Sequence, residues 1–372
     1  MMHLKGLQQR AKGKCAMMFS LVILFNSVSC CSIHPSHDTS LQEEMYAWLL
    51  RQQQPSGLLG NQEGDNLGGV YANALAALCY IHEGDLKRAE RIFDFFDSHF
   101  TEEFAPPGGF HQMWNPREGI AYTDTDRWIG DNAWLLIALN HYLWKTGSDR
   151  YETMRRGVAE WLVSLQDADG GVLSGYTQDG PMGAKSTEGN LDCYAALWEY
   201  PPVRERIKSW LTNDMWVEAD QRFRMGSTVT VSALDGSSWS VAALGDAFSP
   251  SLRYAEKDFL RSDTCVATGN TIIGFSDFID KERVWFEGTG QMVVAYQVAG
   301  KPNEANRFLT SMKKGIIRSG GFPGTVGLPC FSSQPDWEGS TERVFVPSQA
   351  WFLFGCWGFN PLAVPDCGEG EG

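Results

Sequence analysis

What this chain lacks narrows what it can be. Its 372 residues hold 9 cysteines and 7 histidines. They form no Cys-x-x-Cys pair, no His-Glu-x-x-His and no cluster at metal-ligand spacing, so neither a catalytic metal nor a cofactor is expected. Basic residues are scarce, 31 Lys and Arg against 45 Asp and Glu, for a formal net charge of −14. Such a surface repels phosphate backbones and anionic lipids, and no helix pattern carries a basic stripe, which excludes nucleic acid as a partner. A neutral ligand fits the charge better than a polyanion. No linker rich in Pro, Gly or Ser divides the chain, so a single domain is expected over residues 41–362. No apolar run reaches the roughly 20 residues that span a bilayer.

The two ends read differently from the middle. Residues 1–30 place Lys5, Arg10, Lys12 and Lys14 before the apolar run 16–25, then the small residues 27–29 and Cys30. That order predicts an export signal of the lipoprotein type, with Cys30 lipidated and the chain anchored to the cell envelope by that lipid alone. Secretion without an anchor is the alternative. Residues 31–40 read as a polar tether, and residues 363–372 as a disordered acidic tail.

The middle has a rhythm. Six segments are apolar nearly all round: 68–82, 130–145, 188–199, 236–245, 285–299 and 347–357. Each follows a more polar, amphipathic segment: 41–52, 86–100, 150–166, 203–216, 252–260 and 302–316. Helices apolar on every side are buried, and helices with one apolar stripe lie outside them. Six of each predict an all-α (α/α)6 toroid, with an inner ring of apolar helices and an outer ring of amphipathic ones. Connections from inner to outer helices are short, as at 82–85 and 146–149. Those from outer to inner helices are long, as at 101–129 and 317–346. Connections beyond the usual 2–8 residues tend to carry function. Every long one enters the start of an apolar helix, so function is expected at one mouth of the toroid.

That mouth is expected to be aromatic and acidic. Trp114, Tyr122, Trp128, Trp239, Trp285 and Trp337 lie in or beside the long connections and would offer flat apolar platforms for a sugar ring. Trp134, Trp144 and Trp161 lie inside helix patterns and read as core fillers. Carboxylates near a helix start are stabilised by about 0.3–1 kcal/mol each through the dipole and free N–H groups. Capping of this kind accounts for Asp124, Asp126 and Asp235. It accounts less well for Asp131, Glu188, Asp192 and Glu287, which are built into apolar helices. Glu188 and Asp192 are four apart and share one face, where like charges repel.

The segments WIGDNAWLLIAL (128–139), STEGNLDCYAAL (186–197) and WFEGTGQMVVAY (285–296), within the six-fold alternation, resemble the six-hairpin glycosidase superfamily. The resemblance spans about 41–360 and implies hydrolysis of glycosidic bonds by acids at the mouth of the inner ring. It matches Asp131 and Glu188 to such acids. Asp131 is followed by Asn132, whereas the α-1,6-mannanase-like families carry an adjacent Asp pair. The reading is an exported enzyme acting on an oligo- or polysaccharide, with Glu188 as proton donor and Asp131 as base. Asp126, Asp192 and Glu287 would hold hydroxyls or tune that pair. The alternatives are a non-catalytic glycan-binding lipoprotein on the same scaffold, or a polysaccharide lyase or sugar epimerase using Arg127, His111 and Tyr122.

Overall fold

A computed structural model describes residues 39–318 and 324–363, all within one compact unit. The expected signal segment 1–30 with Cys30, the tether up to residue 38 and the tail from residue 364 lie outside the described residues. Among the described residues there are twelve α-helices. The apolar set is α2 (Val70–Glu83), α4 (Ile129–Thr146), α6 (Thr187–Ala196), α8 (Asp235–Leu244), α10 (Phe286–Val298) and α12 (Val346–Trp357). The amphipathic set is α1 (Thr39–Gln52), α3 (Leu86–Glu103), α5 (Glu152–Ser164), α7 (Pro201–Trp210), α9 (Pro250–Asp258) and α11 (Pro302–Met312).

Burial follows the pattern of the sequence. In α10 every residue from Phe286 to Tyr296 is buried, whereas in α3 only one stripe is. Each apolar helix packs against the next, and α12 packs back on α2, so the contacts run in a closed circuit. Each apolar helix also packs on the amphipathic helix that follows it, and α12 packs on α1. The result is a helical toroid.

Two features were not expected. The first is strand structure in the long connections, including a hairpin of Leu260–Thr264 with Thr271–Phe275. Short pairings stitch neighbouring connections together: Gly68 with Trp114, Arg127 with Tyr176, Ser186 with Gly226, Trp285 with Phe331 and Gln62 with Phe345. The one remaining junction is closed by a hydrogen bond from the Leu234 N–H to the Asp277 carbonyl. The rim is therefore a continuous backbone-bonded belt.

The second is a recurring anchor. The fourth residue of each apolar helix is polar and fully or almost fully buried: Asn73, Asn132, Asn190, Ser238, Thr289 and Gln349. Asn190 accepts from the Val172 N–H (2.7 Å) and donates to the carbonyls of Val172 (3.0 Å) and Ser186 (2.8 Å). Asn73 does the same for Leu59 and Gly69, and Asn132 for Phe110 and Trp128. Thr289 and Gln349 accept from the N–H groups of Phe275 and Leu328. In the fourth hairpin Ser238 instead donates to Gln291 of α10.

The anchored residues explain the repeated glycine turns. Gly57 and Gly170 have positive φ, 104° and 100°. Both stand several residues beyond the ends of α1 and α5, so they are not helix caps. A Cβ on Gly57 would meet the Arg91 carbonyl oxygen at 2.3 Å, and one on Gly170 the Arg206 carbonyl oxygen at 2.6 Å. The turn is pressed against the next outer helix, and only glycine fits.

Replacing Asn190 by Ala would leave the N–H and carbonyl of Val172 buried without partners. We expect Asn190→Ala to lower unfolding stability by about 2–4 kcal/mol, from three lost hydrogen bonds and the stranded groups. The check is the denaturant midpoint at unchanged slope. A loss below about 1 kcal/mol would show the anchor to be dispensable.

Candidate functional site

The first turns of the apolar helices converge on one pocket at the belted mouth. It encloses about 640 Å3 of space free of protein, part of it open to solvent. Asp131 comes from α4, Glu188 and Asp192 from α6, and Glu287 from α10, and all four line it. Gln112, Trp128 and Phe345 join them from the connections. Among the described residues lining the pocket there is no Lys, Arg or His.

The floor is aromatic. Tyr71, Trp134 and Trp239 line the pocket, with ring centroids 5.3 Å (Tyr71–Trp134), 5.5 Å (Trp134–Trp239) and 6.4 Å (Tyr71–Trp239) apart. Trp351 stands behind them, stacked on Trp239 at 6.2 Å. Its indole N–H donates to the Tyr71 hydroxyl (2.7 Å), which in turn donates to Glu287 Oε1 (2.7 Å). A Cβ on Gly290 would meet the Trp351 Cβ at 2.8 Å. The glycines after Glu287 therefore admit a neighbouring helix and its indole.

Each acid has a distinct setting. Asp131 accepts from the Tyr71 backbone N–H (3.1 Å) and the Gln112 amide (3.0 Å). Burial raises its carboxyl to about 6, and these two donors oppose the rise. Burial raises Glu287 to about 8, with Tyr71 favouring its charged form and the charge of Asp235 opposing it. Glu188 is pushed well above the usual carboxyl range, first by burial and then by the charges of Asp235 and Glu287. It pairs with Asp235, which burial raises to about 6. Asp192 is also raised well above its normal range, by burial and then by Glu188 and Asp235. It is wholly buried, and neither of its oxygens has a hydrogen-bond partner. The Trp134 indole N–H, equally without a partner, is close enough to favour its charge. The Asp192 carboxyl lies over Gly130, where a Cβ would meet Oδ2 at 3.1 Å.

Of the residues singled out from sequence, Asp131, Glu188, Asp192, Glu287, Trp128 and Trp239 come together here. Five do not line the pocket. Trp114 is buried among Phe95, Phe96 and His99 against the outer helix α3, because its strand turns that face inward. The Tyr122 hydroxyl donates to the Asn66 carbonyl on the rim. Asp126 sits behind Gln112, accepting the Gln112 N–H through its backbone carbonyl. Trp285 covers Gly288, where a Cβ would lie 2.1 Å from its ring. Trp337, 43% exposed, packs on Phe331 and on the pocket residue Phe345. Arg127 and His111 are taken up by Glu103.

Two functional residues were read as ordinary from sequence. Asp235 passed for a helix cap because a carboxylate at a helix start looks the same in either role. Trp134 passed for core filler, yet it forms the pocket floor. Its offset of three from Asp131, which puts both on one helix face, is the signal that would have found it.

The raised acids make stability depend on pH. Each has a higher proton affinity folded than unfolded, so its stabilising contribution is complete below the unfolded carboxyl range of about 4. It is lost as pH rises through about 6 for Asp131 and Asp235, then through about 8 for Glu287. We expect Tm to fall as pH rises from about 5, and Glu287→Gln to lessen the slope up to about pH 8. Parallel Tm profiles for the two proteins would contradict this.

No protein-family model matches the chain, and no curated protein matches it by sequence. Solved structures do match by fold. A glycosidase superposes with TM-score 0.63 at 14% identity, covering 87% of this chain and 97% of its own. An α-amylase from Clostridium perfringens gives 0.65 at 11%, covering 87% and 99%. A sugar epimerase from a ruminal bacterium gives 0.61 at 13%, covering 85% and 98%. A glutamate-to-alanine variant of a glycosidase also matches, in complex with glucose. The chain shares the helical-toroid fold of these neighbours.

Proposed function

We propose that this chain is a carbohydrate-active enzyme that hydrolyses glycosidic bonds in the pocket of an (α/α)6 barrel. One observation carries the reading. A single aromatic-floored pocket holds a carboxyl pushed well above its usual range, Glu188, and another that two donors favour in its charged form, Asp131. Glycoside hydrolysis uses such a division of labour between two carboxyls. Glu188 would protonate the departing glycosidic oxygen as the bond to the anomeric carbon breaks. Asp131 would take a proton from the water that adds to that carbon. Asp235, paired with Glu188 in the resting site, would orient the acid. Trp128, Trp134 and Trp239 would stack on the sugar, and Gln112 would steady Asp131.

The neighbours named as glycosidases and α-amylase support hydrolysis, and the bound glucose in one of them supports a sugar ligand. The lyase alternative is weaker here, because Arg127 and His111 are engaged by Glu103 away from the pocket. Export and lipid attachment through Cys30 belong to the same proposal and rest on residues 1–31 alone.

The test is release of reducing sugar from a panel of oligosaccharides and aryl glycosides. Glu188→Gln and Asp131→Asn should each lower kcat by about 10²–10⁴ while sugar binding, followed by tryptophan fluorescence, persists. Unchanged rates in both variants would refute the assignment. Binding without turnover in the wild type would favour the glycan-binding alternative. Interconversion of a free sugar without hydrolysis would favour an epimerase or isomerase, as two of the neighbours are named.

A further inference from the structure

The pocket has more acid than hydrolysis requires. Two carboxyls suffice for general acid and base catalysis, yet Asp131, Glu188, Asp192 and Glu287 all line it and Asp235 joins through Glu188. Cations do not offset them, since the lining described above has no Lys, Arg or His. Nor do they gather as a metal site: among the described residues no three His, Cys, Asp or Glu side chains are placed to hold an ion.

Asp192 is the informative member. It is 0% exposed, faces the pocket, and has both carboxyl oxygens without a hydrogen-bond partner. A buried polar group is almost always satisfied, and an orphan calls for an explanation. The other acids have their partners: Tyr71 and Gln112 for Asp131, Tyr71 for Glu287, Asp235 for Glu188. Asp192 has only the Trp134 indole N–H near it, outside hydrogen-bond geometry, so a further partner is to be sought in whatever fills the pocket. That partner must donate hydrogen bonds, and a positive charge would also relieve crowding among like charges. Tyr71, Trp134 and Trp239 line the same pocket, and aromatic rings attract a desolvated cation.

We propose that the pocket is built for a sugar carrying a protonated amine, with its ammonium seated beside Asp192 and against the tryptophan floor. An ammonium brings three donors and one positive charge on a compact group, which matches the two free carboxyl oxygens. A hydroxyl brings one donor and no charge. The ligand class is therefore an amino sugar with its nitrogen unacylated, since acylation removes the charge. This inference rests on the reading that the pocket binds a sugar, but it does not need turnover.

The experiment is calorimetry on the full chain at pH 7 with four free sugars: glucosamine, 6-amino-6-deoxyglucose, glucose and N-acetylglucosamine. At least one amino sugar should bind roughly tenfold more tightly than glucose, with N-acetylglucosamine no better than glucose. In Asp192→Asn the ratio of amino sugar to glucose should fall to about one. A second measurement needs no variant. Repeated in buffers of different ionisation heat, amino-sugar binding should release a proton from the acid cluster, and glucose binding should not. Equal affinity for glucose and the amino sugars, a ratio that survives Asp192→Asn, or no proton release would each overturn the inference. A chain that binds amino sugars selectively but cleaves nothing would sustain it while removing the hydrolase reading. Hydrolysis of neutral glycans without amine preference would do the reverse.

Discussion

The structure depends on a buried polar side chain at the fourth position of each apolar helix. Left alone, a helix such as α6 could slide or rotate in its ring, since apolar contacts are non-directional. Asn190 removes that freedom by taking both polar groups of Val172 and the carbonyl of Ser186. One side chain thereby sets the height of the helix, the end of the preceding turn and the start of the next connection. Asn73 and Asn132 do the same elsewhere in the circuit. Because the anchors sit one turn inside the helix, the first-turn residues are held level with one another. Asp131, Glu188, Asp235 and Glu287 are those residues.

Holding several carboxyls in one dry place sets them against one another. Their environment, rather than their type, separates their behaviour: Asp131 is favoured in its charged form by a backbone N–H and an amide, while burial and the charges of Asp235 and Glu287 push Glu188 well above its usual range. The floor reinforces this. The chain from the Trp351 indole through the Tyr71 hydroxyl to Glu287 ties α12, α2 and α10 together beneath the pocket. Tyr71 serves twice, with its hydroxyl on Glu287 and its backbone N–H on Asp131. Aromatic packing and proton placement are therefore one construction.

The alternation of apolar and amphipathic segments was legible because burial on all sides leaves a compositional mark that no other arrangement explains. Helix starts were readable to within two or three residues, and with them the mouth. Asp131, Glu188, Asp192 and Glu287 stood out because each interrupts an apolar helix. Asp235 did not, since the glycine and serines after it look like any capped start. The fate of Trp114 was hidden for another reason. In strands of two or three residues, which face turns inward is decided by pairing with a distant connection, and local sequence carries no trace of it. The hairpin Leu260–Thr264 with Thr271–Phe275 escaped because its first strand is polar after Leu260 and half-buried, with no alternation to mark it.

The anchors separate two jobs that many folds entangle. From Phe110 to the start of α4, from Val172 to the start of α6 and from Leu328 to the start of α12, the intervening stretches differ in sequence and somewhat in length, yet both ends of each are pinned at equivalent points. Whatever is spliced between those pins alters the rim without transmitting strain to the circuit of helices below. A scaffold so partitioned can exchange one ligand preference for another by rewriting a few surface residues, while its foundations stay as they are.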